Sequence, residues 1–189
     1  MTRILLVSGS TRAASSNTAL LRTAAASAPD GVNTELYPGL ASLPHFNPDD
    51  DHEPLPASVA VLRAEVAASD AVLFCTPEYA GMLPGSMKNL LDWLVGGTEI
   101  SDKPVAWVNA AADSRRGTGA QATLATVLGY VQASVVDDAC RHVGVMPGAV
   151  GPDGLIDDPT VRAELSDVLS TLARAADRSQ VSPAATTHT

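Results

Sequence analysis

Short apolar runs alternate along this chain with longer segments of helical periodicity. This alternation is typical of a parallel sheet with helices packed against it. The runs that predict strands are 3–7, 34–37, 71–75, 105–109 and 134–139. The segments that predict helices are about 17–27, 57–68, 86–95, 119–131 and 159–176, with a surface loop over 38–56. The first, third and fourth strands are apolar throughout, so we expect them to be buried at the centre of the sheet.

Five βα units in this order predict an α/β fold, namely a flavodoxin-like, doubly wound, five-stranded parallel sheet with helices on both faces. The 189 residues are enough for one such domain. We expect the domain to span 1–178 and the Ser/Pro/Ala/Thr-rich segment 179–189 to be a disordered tail. Ligands of such sheets bind beyond the carboxyl ends of the strands, where the strand order reverses. The loops after the first, third and fourth strands should therefore form the site.

Charge and cysteine content exclude several classes of partner. The formal net charge of −9 argues against nucleic acid and against an anionic membrane surface. Cys75 and Cys140 form neither a disulfide framework nor a metal motif, and the acidic run at 49–52 is expected to be a solvated turn. Neither a signal peptide nor an apolar segment of membrane-spanning length is visible. We expect a cytoplasmic protein with no metal.

The loop after the first strand predicts a phosphate site. The free N–H groups of the helix that follows, and its dipole, favour an anion there. One guanidinium, four hydroxyls and one amide surround this point: Arg12, Ser10, Thr11, Ser15, Ser16 and Asn17. Arg12 can bind two phosphate oxygens at once. An ordinary strand–helix connection, capped by Ser16 or Asn17, is the alternative, but capping needs one such residue rather than six polar groups.

The other two loops suit a flat ligand. The loop 76–86 holds two prolines and two glycines, and Tyr79 offers a planar surface. A rigid turn with a partly buried tyrosine explains this loop equally well. Small residues in the loop 109–119 permit close approach of a ligand to the backbone. Arg115 and Arg116 either attract a phosphorylated cofactor or form a solvated surface pair. The chain has neither the G-x-G-x-x-G dinucleotide fingerprint nor the P-loop motif.

Two motifs together resemble a known family. The run Gly9-Ser10-Thr11-Arg12-x-x-Ser15-x-Asn17 resembles the phosphate loop of the NADPH-dependent FMN reductases, flavodoxin-like flavoproteins that include quinone, azo-dye and chromate reductases. Pro77-Glu78-Tyr79, followed by the helix that starts at Pro84-Gly85-Ser86 and runs to Trp93, is similar to the second motif of that family. The segment 43–49 is similar to its loop after strand two. The resemblance runs from about residue 4 to residue 176.

The resemblance implies where FMN would bind. Its phosphate would lie on the six polar residues of the first loop, Ser10, Thr11, Arg12, Ser15, Ser16 and Asn17. Its isoalloxazine ring would lie against Pro77, Glu78, Tyr79 and Ala80, and the loop near Ala111 would close the other side. Many members have asparagine or histidine where this chain has Ala80. Such proteins are usually homodimers or homotetramers, and the resemblance places the helix 88–93 near the contact, although Trp93 could equally belong to the core.

The function implied is an FMN-dependent NAD(P)H oxidoreductase. Hydride would pass from NADPH or NADH, through bound FMN, to a small acceptor such as a quinone, an azo dye, a metal oxyanion or free flavin. No catalytic side chain is predicted, because this chemistry belongs to the flavin. Two alternatives stay open: an FMN-binding electron carrier or redox sensor with little turnover of its own, and a protein of the same fold that binds another phosphate ligand or none. No residue is assigned to the 2′-phosphate that distinguishes NADPH from NADH.

Overall fold

The computed structural model describes residues 1–181 of the chain. Within them the strands are β1 (Thr2–Ser8), β2 (Val32–Leu36), β3 (Ala71–Cys75), β4 (Pro104–Asn109), β5 (Ser134–Val135) and β6 (Arg141–His142). The α-helices are α1 (Ser16–Ala26), α2 (Ala57–Ala68), α3 (Gly85–Asp92), α4 (Thr118–Tyr130) and α5 (Pro159–Val181). Short 3₁₀ turns lie at Leu40–Ser42, Pro48–Asp50 and Asp137–Ala139.

The sheet is parallel and has the order β2-β1-β3-β4-β5, with β6 also paired to β4. This order confirms the predicted flavodoxin-like, doubly wound fold. Each face of the sheet carries its own apolar cluster. Ile4 and Leu6 of β1 belong to the cluster that includes α1 and α5, whereas Leu5 and Val7 belong to the one that includes α2, α3 and α4. The alternation of side chains along one strand therefore supplies both cores.

The predicted fifth strand, 134–139, is the main difference from the sequence analysis. Its first two residues form β5, a 3₁₀ turn follows, and the chain pairs with β4 again as β6. Asp137 and Asp138 explain the interruption, because in a continuous strand these adjacent carboxylates would project to opposite faces of the sheet, both of which carry apolar clusters. The turn keeps both carboxylates exposed while Ala139 is buried. Among residues 1–181 the sheet thus has six strands rather than five.

Two other boundaries differ. Helix α5 continues to Val181, so 179–181, predicted to start a disordered tail, are helical. The rest of that predicted tail, 182–189, lies outside the described residues. Trp93 is fully buried in the cluster on the α3 face, which settles its open assignment in favour of the core.

The segment 38–56 is fastened to α3 rather than loose on the surface. Asn89 accepts a hydrogen bond from the Phe46 N–H (2.7 Å) and donates to the Pro44 carbonyl (2.8 Å). The Trp93 indole N–H also donates to the Pro44 carbonyl (2.9 Å), and the Phe46 and Trp93 rings pack edge to face. Arg63 and Asp51, both largely buried, form an ion pair of 2.6 Å. No helix of the described residues is both long and apolar enough to cross a bilayer.

Candidate functional site

The loop between β1 and α1 begins at Gly9, and the need for glycine at this position is apparent from the structure but not from the sequence. The Gly9 N–H donates to the Cys75 carbonyl (2.8 Å), which keeps the loop tied to the end of β3. A Cβ at position 9 would lie 2.2 Å from Thr76 Oγ1, so any larger residue would displace the second loop. The first and second loops are therefore in direct contact where they leave the sheet.

Helix α1 starts with backbone donors that are still free. Ser15 is the N-cap, and its hydroxyl accepts a hydrogen bond from the Thr18 N–H (3.4 Å). Within residues 1–181, the N–H groups of Ser16 and Asn17 donate to no protein acceptor. Such unpaired amides at a helix N-terminus favour an anion.

A buried thiol orients the Asn17 side chain. Cys75 Sγ donates a hydrogen bond to Asn17 Oδ1 (3.3 Å). Burial raises the pKa of the Cys75 thiol, so the thiol stays protonated and remains a donor. Because its oxygen is engaged in this way, the amide nitrogen of Asn17 is the group left to donate to a ligand.

The second loop ends in a tight hairpin turn. Tyr79 and Met82 exchange two backbone hydrogen bonds of 3.0 Å, and the two central residues, Ala80 and Gly81, have φ of 51° and 77°. Positive φ at both positions is characteristic of a type I′ turn. The turn leaves Tyr79 and Met82 exposed, at 58% and 61% of their surface.

Glu78 fastens this second loop to helix α4. Its Oε2 accepts hydrogen bonds from the N–H groups of Gly119 (2.7 Å) and Ala120 (3.1 Å). The N-cap residue of α4 is Gly117, which has no side chain to cap the helix, so Glu78 supplies the cap from 41 residues away. A Cβ on Gly119 would lie 2.1 Å from the Gly81 carbonyl oxygen, which shows how closely the turn and the helix approach.

The third loop is shaped by Asn109 and His142. The Asn109 side chain donates to the Arg116 carbonyl (2.7 Å) and accepts from the Ala111 N–H (3.0 Å), so it bridges the two ends of the loop. His142, on β6, lies 2.6 Å through Nε2 from the Ala111 carbonyl. Because a carbonyl only accepts, His142 Nε2 carries the proton. Gly117 has φ of 82° and packs against Asn109, where a Cβ would be 2.7 Å from Oδ1.

The start of helix α1 and the second and third loops enclose one cavity of about 430 Å³ at the carboxyl ends of β1, β3 and β4. Its lining residues are Ser16, Asn17, Thr76, Pro77, Glu78, Asn109, Ala110, Ala111, Arg116 and Gly117. Glu78 is the one carboxylate among them, and two helix amides stabilise its charge. Free amides at one side and a guanidinium at the other give the cavity donors for an anionic ligand.

The structure brings five of the eleven predicted residues into this cavity: Ser16, Asn17, Pro77, Glu78 and Ala111. The rest of the first loop borders two neighbouring cavities. Ser10 and Thr11 line one of about 300 Å³, Ser15 lines another of about 610 Å³, and Arg12 lines both. Tyr79 and Ala80 lie on the exposed turn and do not line the main cavity, so their contact with a flavin ring stays a prediction.

The two arginines of the third loop have different environments. Arg115 is 88% exposed and pairs with Asp113 at 2.7 Å, a contact that lowers the pKa of the Asp113 carboxyl. Arg116 lines the cavity instead. The two arginines were predicted as an equivalent pair. Of the two, Arg116 alone lines the cavity in which a ligand would bind.

The predicted site residues did not include six residues of the site, of which the sequence had raised Arg116 alone as one of two readings: Thr76, Asn109, Ala110, Arg116, Gly117 and His142. Asn109 could have been found, because it is the polar last residue of a buried strand that ends at the predicted site. His142 could not, because the pairing of β6 with β4 has no signal in the sequence.

The family of this chain is identified by a match to a family model. The model of the NADPH-dependent FMN reductases matches residues 2–145. The chain belongs to this family. The oxidoreductase class, with FMN and a reduced nicotinamide nucleotide as cofactors, is thereby confirmed at the level of the family.

Individual proteins agree with this assignment. An NAD(P)H-dependent FMN reductase of Pseudomonas aeruginosa is 37% identical over 118 residues, which are 61% of this chain and 63% of that protein. A probable NADPH:quinone oxidoreductase of rice, Oryza sativa subsp. japonica, is 30% identical, with 98% of this chain and 94% of that protein covered. The solved flavoenzyme NAD(P)H:(acceptor) oxidoreductase FerB of Paracoccus denitrificans superimposes with a TM-score of 0.77 at 26% identity, covering 94% of this chain and 98% of that one.

The residues of the cavity fit FMN. The free N–H groups of Ser16 and Asn17 suit a phosphate, and Ala110, Ala111 and Gly117 leave room for a flat ring against the backbone. The volume of about 430 Å³ lies in the range of small-molecule sites.

Proposed function

We propose that this protein is an FMN-dependent NAD(P)H oxidoreductase whose cofactor occupies the cavity formed by the three loops. The observation that carries the proposal is the convergence of the second and third loops with the free helix amides at the start of α1 on one cavity. When bound, FMN supplies the hydride chemistry, so the chain itself needs no acid, base or nucleophile. The rice relative, whose name specifies a quinone, supports a quinone as one acceptor. An azo dye, a metal oxyanion or free flavin are the other candidates.

Within this proposal each loop has a separate task. The amides of Ser16 and Asn17, with Ser10, Thr11, Arg12 and Ser15 around them, bind the phosphate. Pro77 and Glu78 form one side of the ring site, and Ala111 forms the other. Asn109 and His142 hold the third loop in place. Tyr79 and Ala80 contribute from the exposed turn.

We also propose a single domain that ends within α5, a cytoplasmic location and a homodimer or homotetramer. The two cysteines are free, which suits a reducing compartment. The exposed Tyr79 and Met82, next to the cavity, are apolar side chains that a second copy of the chain would cover.

The test combines purified protein with FMN, NADPH or NADH, and a benzoquinone. We expect flavin absorbance to stay with the protein through gel filtration, and nucleotide oxidation to exceed that of free FMN alone. Bound flavin without such turnover would support the electron carrier instead. A protein that takes up no FMN would contradict both functions.

A further inference from the structure

Cys75, the last residue of β3, holds both ends of the first loop. Its backbone carbonyl accepts a hydrogen bond from the Gly9 N–H (2.8 Å), where the loop begins. Its thiol donates to Asn17 Oδ1 (3.3 Å), where helix α1 has just begun. Cys75 is wholly buried and is not among the residues that line the main cavity. Any influence of its thiol on a ligand therefore passes through Asn17.

The third loop contacts the same sulfur. Ala110, the first residue after β4, is buried and lines the main cavity. Burial raises the pKa of the Cys75 thiol, while a hydrogen bond from the Ala110 N–H to the sulfur acts against that rise. Sulfur is a weak acceptor, so with the Ala110 N–H already upon it the S–H group is the better partner left for Asn17. An S–H donor needs an oxygen, and it therefore selects Oδ1 of the carboxamide.

The amide nitrogen of Asn17 is thereby kept for a ligand. Within residues 1–181, Asn17 Nδ2 donates to no protein acceptor. Asn17 lines the main cavity beside Ser16, and the backbone N–H groups of both residues are free there. A carboxamide turned the other way would present its oxygen, an acceptor that a phosphate repels. The orientation thus decides whether the Asn17 side chain adds a donor or an acceptor to the anion site.

We propose that Cys75 is a positioning residue for phosphate recognition: its thiol holds the Asn17 carboxamide with the nitrogen toward the ligand and so sets how strongly the protein prefers FMN to riboflavin. The inference rests on the proposed function, because FMN is the ligand whose phosphate Asn17 would meet. Riboflavin has the same ring and side chain without the phosphate. Loss of the orientation should therefore weaken FMN alone, whereas a general loosening of the site would weaken both flavins.

The binding test compares Cys75→Ala with the wild type by fluorescence titration of both flavins. We expect the dissociation constant of FMN to rise about tenfold and that of riboflavin to stay within about twofold, because a donor to a charged group is lost. Cys75→Ser restores a donor and an acceptor and should recover most of the preference for FMN. Cys140→Ala removes the other free cysteine and is the matched control, which should leave both dissociation constants unchanged.

A double-mutant cycle tests whether Cys75 acts through Asn17. In the Asn17→Ala background, Cys75→Ala should cause no further loss of FMN affinity. Additive losses would overturn the proposal, because the thiol would then act on the ligand by another route. Equal losses for FMN and riboflavin in Cys75→Ala, or no loss for either, would also overturn it.

The infrared S–H stretching band gives a readout that needs no flavin. The difference between the spectra of wild type and Cys75→Ser isolates the band of Cys75, whose frequency falls when the thiol donates a hydrogen bond. We expect a higher frequency in Asn17→Ala. Inorganic phosphate added to the flavin-free wild type should lower the frequency, because an anion at Nδ2 strengthens Oδ1 as an acceptor.

A band that stays in place in either infrared experiment would overturn the proposal. If phosphate shifts the band but the protein takes up no FMN, the proposed function is contradicted and the positioning of Asn17 by Cys75 stands. If FMN binds and the protein turns over, but Cys75→Ala keeps the full preference for FMN, the proposed function stands and this inference fails.

Discussion

Ala80 adopts a backbone conformation that its side chain disfavours. Its φ of 51° lies in the left-handed region, where an L-residue with a Cβ is strained by roughly 1–2 kcal/mol. Asparagine and glycine tolerate this region, which gives a physical reason for the asparagine that many family members carry there.

We therefore predict that Ala80→Gly and Ala80→Asn each raise the free energy of unfolding, by about 0.5–1 kcal/mol. Urea denaturation followed by circular dichroism would measure the change. Ala163→Gly, at an exposed position of α5, is the control and should lower stability by about 1 kcal/mol. A loss of stability at position 80 would show that the turn does not strain its first residue.

Glu78 connects two loops through hydrogen bonds to helix α4, and its substitution should affect both the helix and the cofactor. We predict that Glu78→Ala lowers the free energy of unfolding by about 1–2 kcal/mol, the usual range for a lost cap, and weakens FMN binding. Glu78→Gln keeps an oxygen acceptor and should retain most of both properties. Urea unfolding and FMN fluorescence titration would measure them. If the alanine and glutamine variants behaved alike, charge rather than capping would be the role of Glu78.

Arg12 is predicted to contact the FMN phosphate. In the structure its guanidinium meets a backbone carbonyl and no carboxylate among residues 1–181, so it can turn to an anion without breaking an ion pair. We predict that Arg12→Ala weakens FMN binding by roughly 1.5–3 kcal/mol, the scale of a hydrogen bond to a charged group. Arg115→Ala, which removes an exposed arginine already paired with Asp113, should leave FMN affinity unchanged. Equal affinities of Arg12→Ala and wild type would place the phosphate elsewhere.

At the scale of elements, α3 holds the segment 38–56 through one asparagine. Asn89→Ala would leave the Phe46 N–H without its acceptor and remove one of two donors to the Pro44 carbonyl. We predict a loss of about 1–3 kcal/mol in the free energy of unfolding. Asn47→Ala, within the exposed turn of the same segment, is the control and should lose less than about 1 kcal/mol. Urea denaturation would compare them, and equal losses would show that Asn89 does not anchor the segment.

Helices and strands could be predicted from the sequence where a local pattern of residues was enough to identify them. The apolar run 71–75 predicted β3, and the helical spacing of 57–68 predicted α2, each with the bounds that the structure has. The split into β5 and β6 was not predictable, because it depends on pairing with β4 across the sheet edge. The same limit applies to the site. The positions of the strand ends predicted which three loops form the site. That Glu78 accepts hydrogen bonds could not be predicted, because its donors are amides of α4 that begin 41 residues away in the sequence.

At the scale of the whole molecule, buried acids make stability sensitive to alkaline pH. Burial raises the pKa of Tyr37 from its usual 10 to about 12 and that of Cys140 to about 11, and it also raises the pKa of Cys75. Above the ordinary pKa values the unfolded chain releases protons that the folded chain retains. The free energy of unfolding therefore falls as the pH rises through this range. Lys103, whose pKa burial lowers, acts in the opposite direction.

Tyr37→Phe tests this account. The Tyr37 hydroxyl is buried without a hydrogen-bond partner in the described part of the chain, so its removal should leave stability at pH 7 equal or higher. We predict that the free energy of unfolding of the variant, compared with that of the wild type, is about 1 kcal/mol higher at pH 11 than at pH 7. The reason is that phenylalanine has no proton for the unfolded chain to release. Urea unfolding at both pH values would measure the difference. Parallel pH dependences would contradict it.

The position of α5 has a consequence for the order in which the molecule can form during synthesis. Strands β1, β2 and β3 pair with one another in the fold, so they can pair, and the phosphate loop can form, once about 75 residues have been made. Its side of the sheet, however, is covered by Leu165, Val168, Leu169 and Leu172 of α5, which leave the ribosome last among these elements. Until α5 is made, α1 covers only part of this face, so a nascent chain exposes apolar surface there for most of its translation.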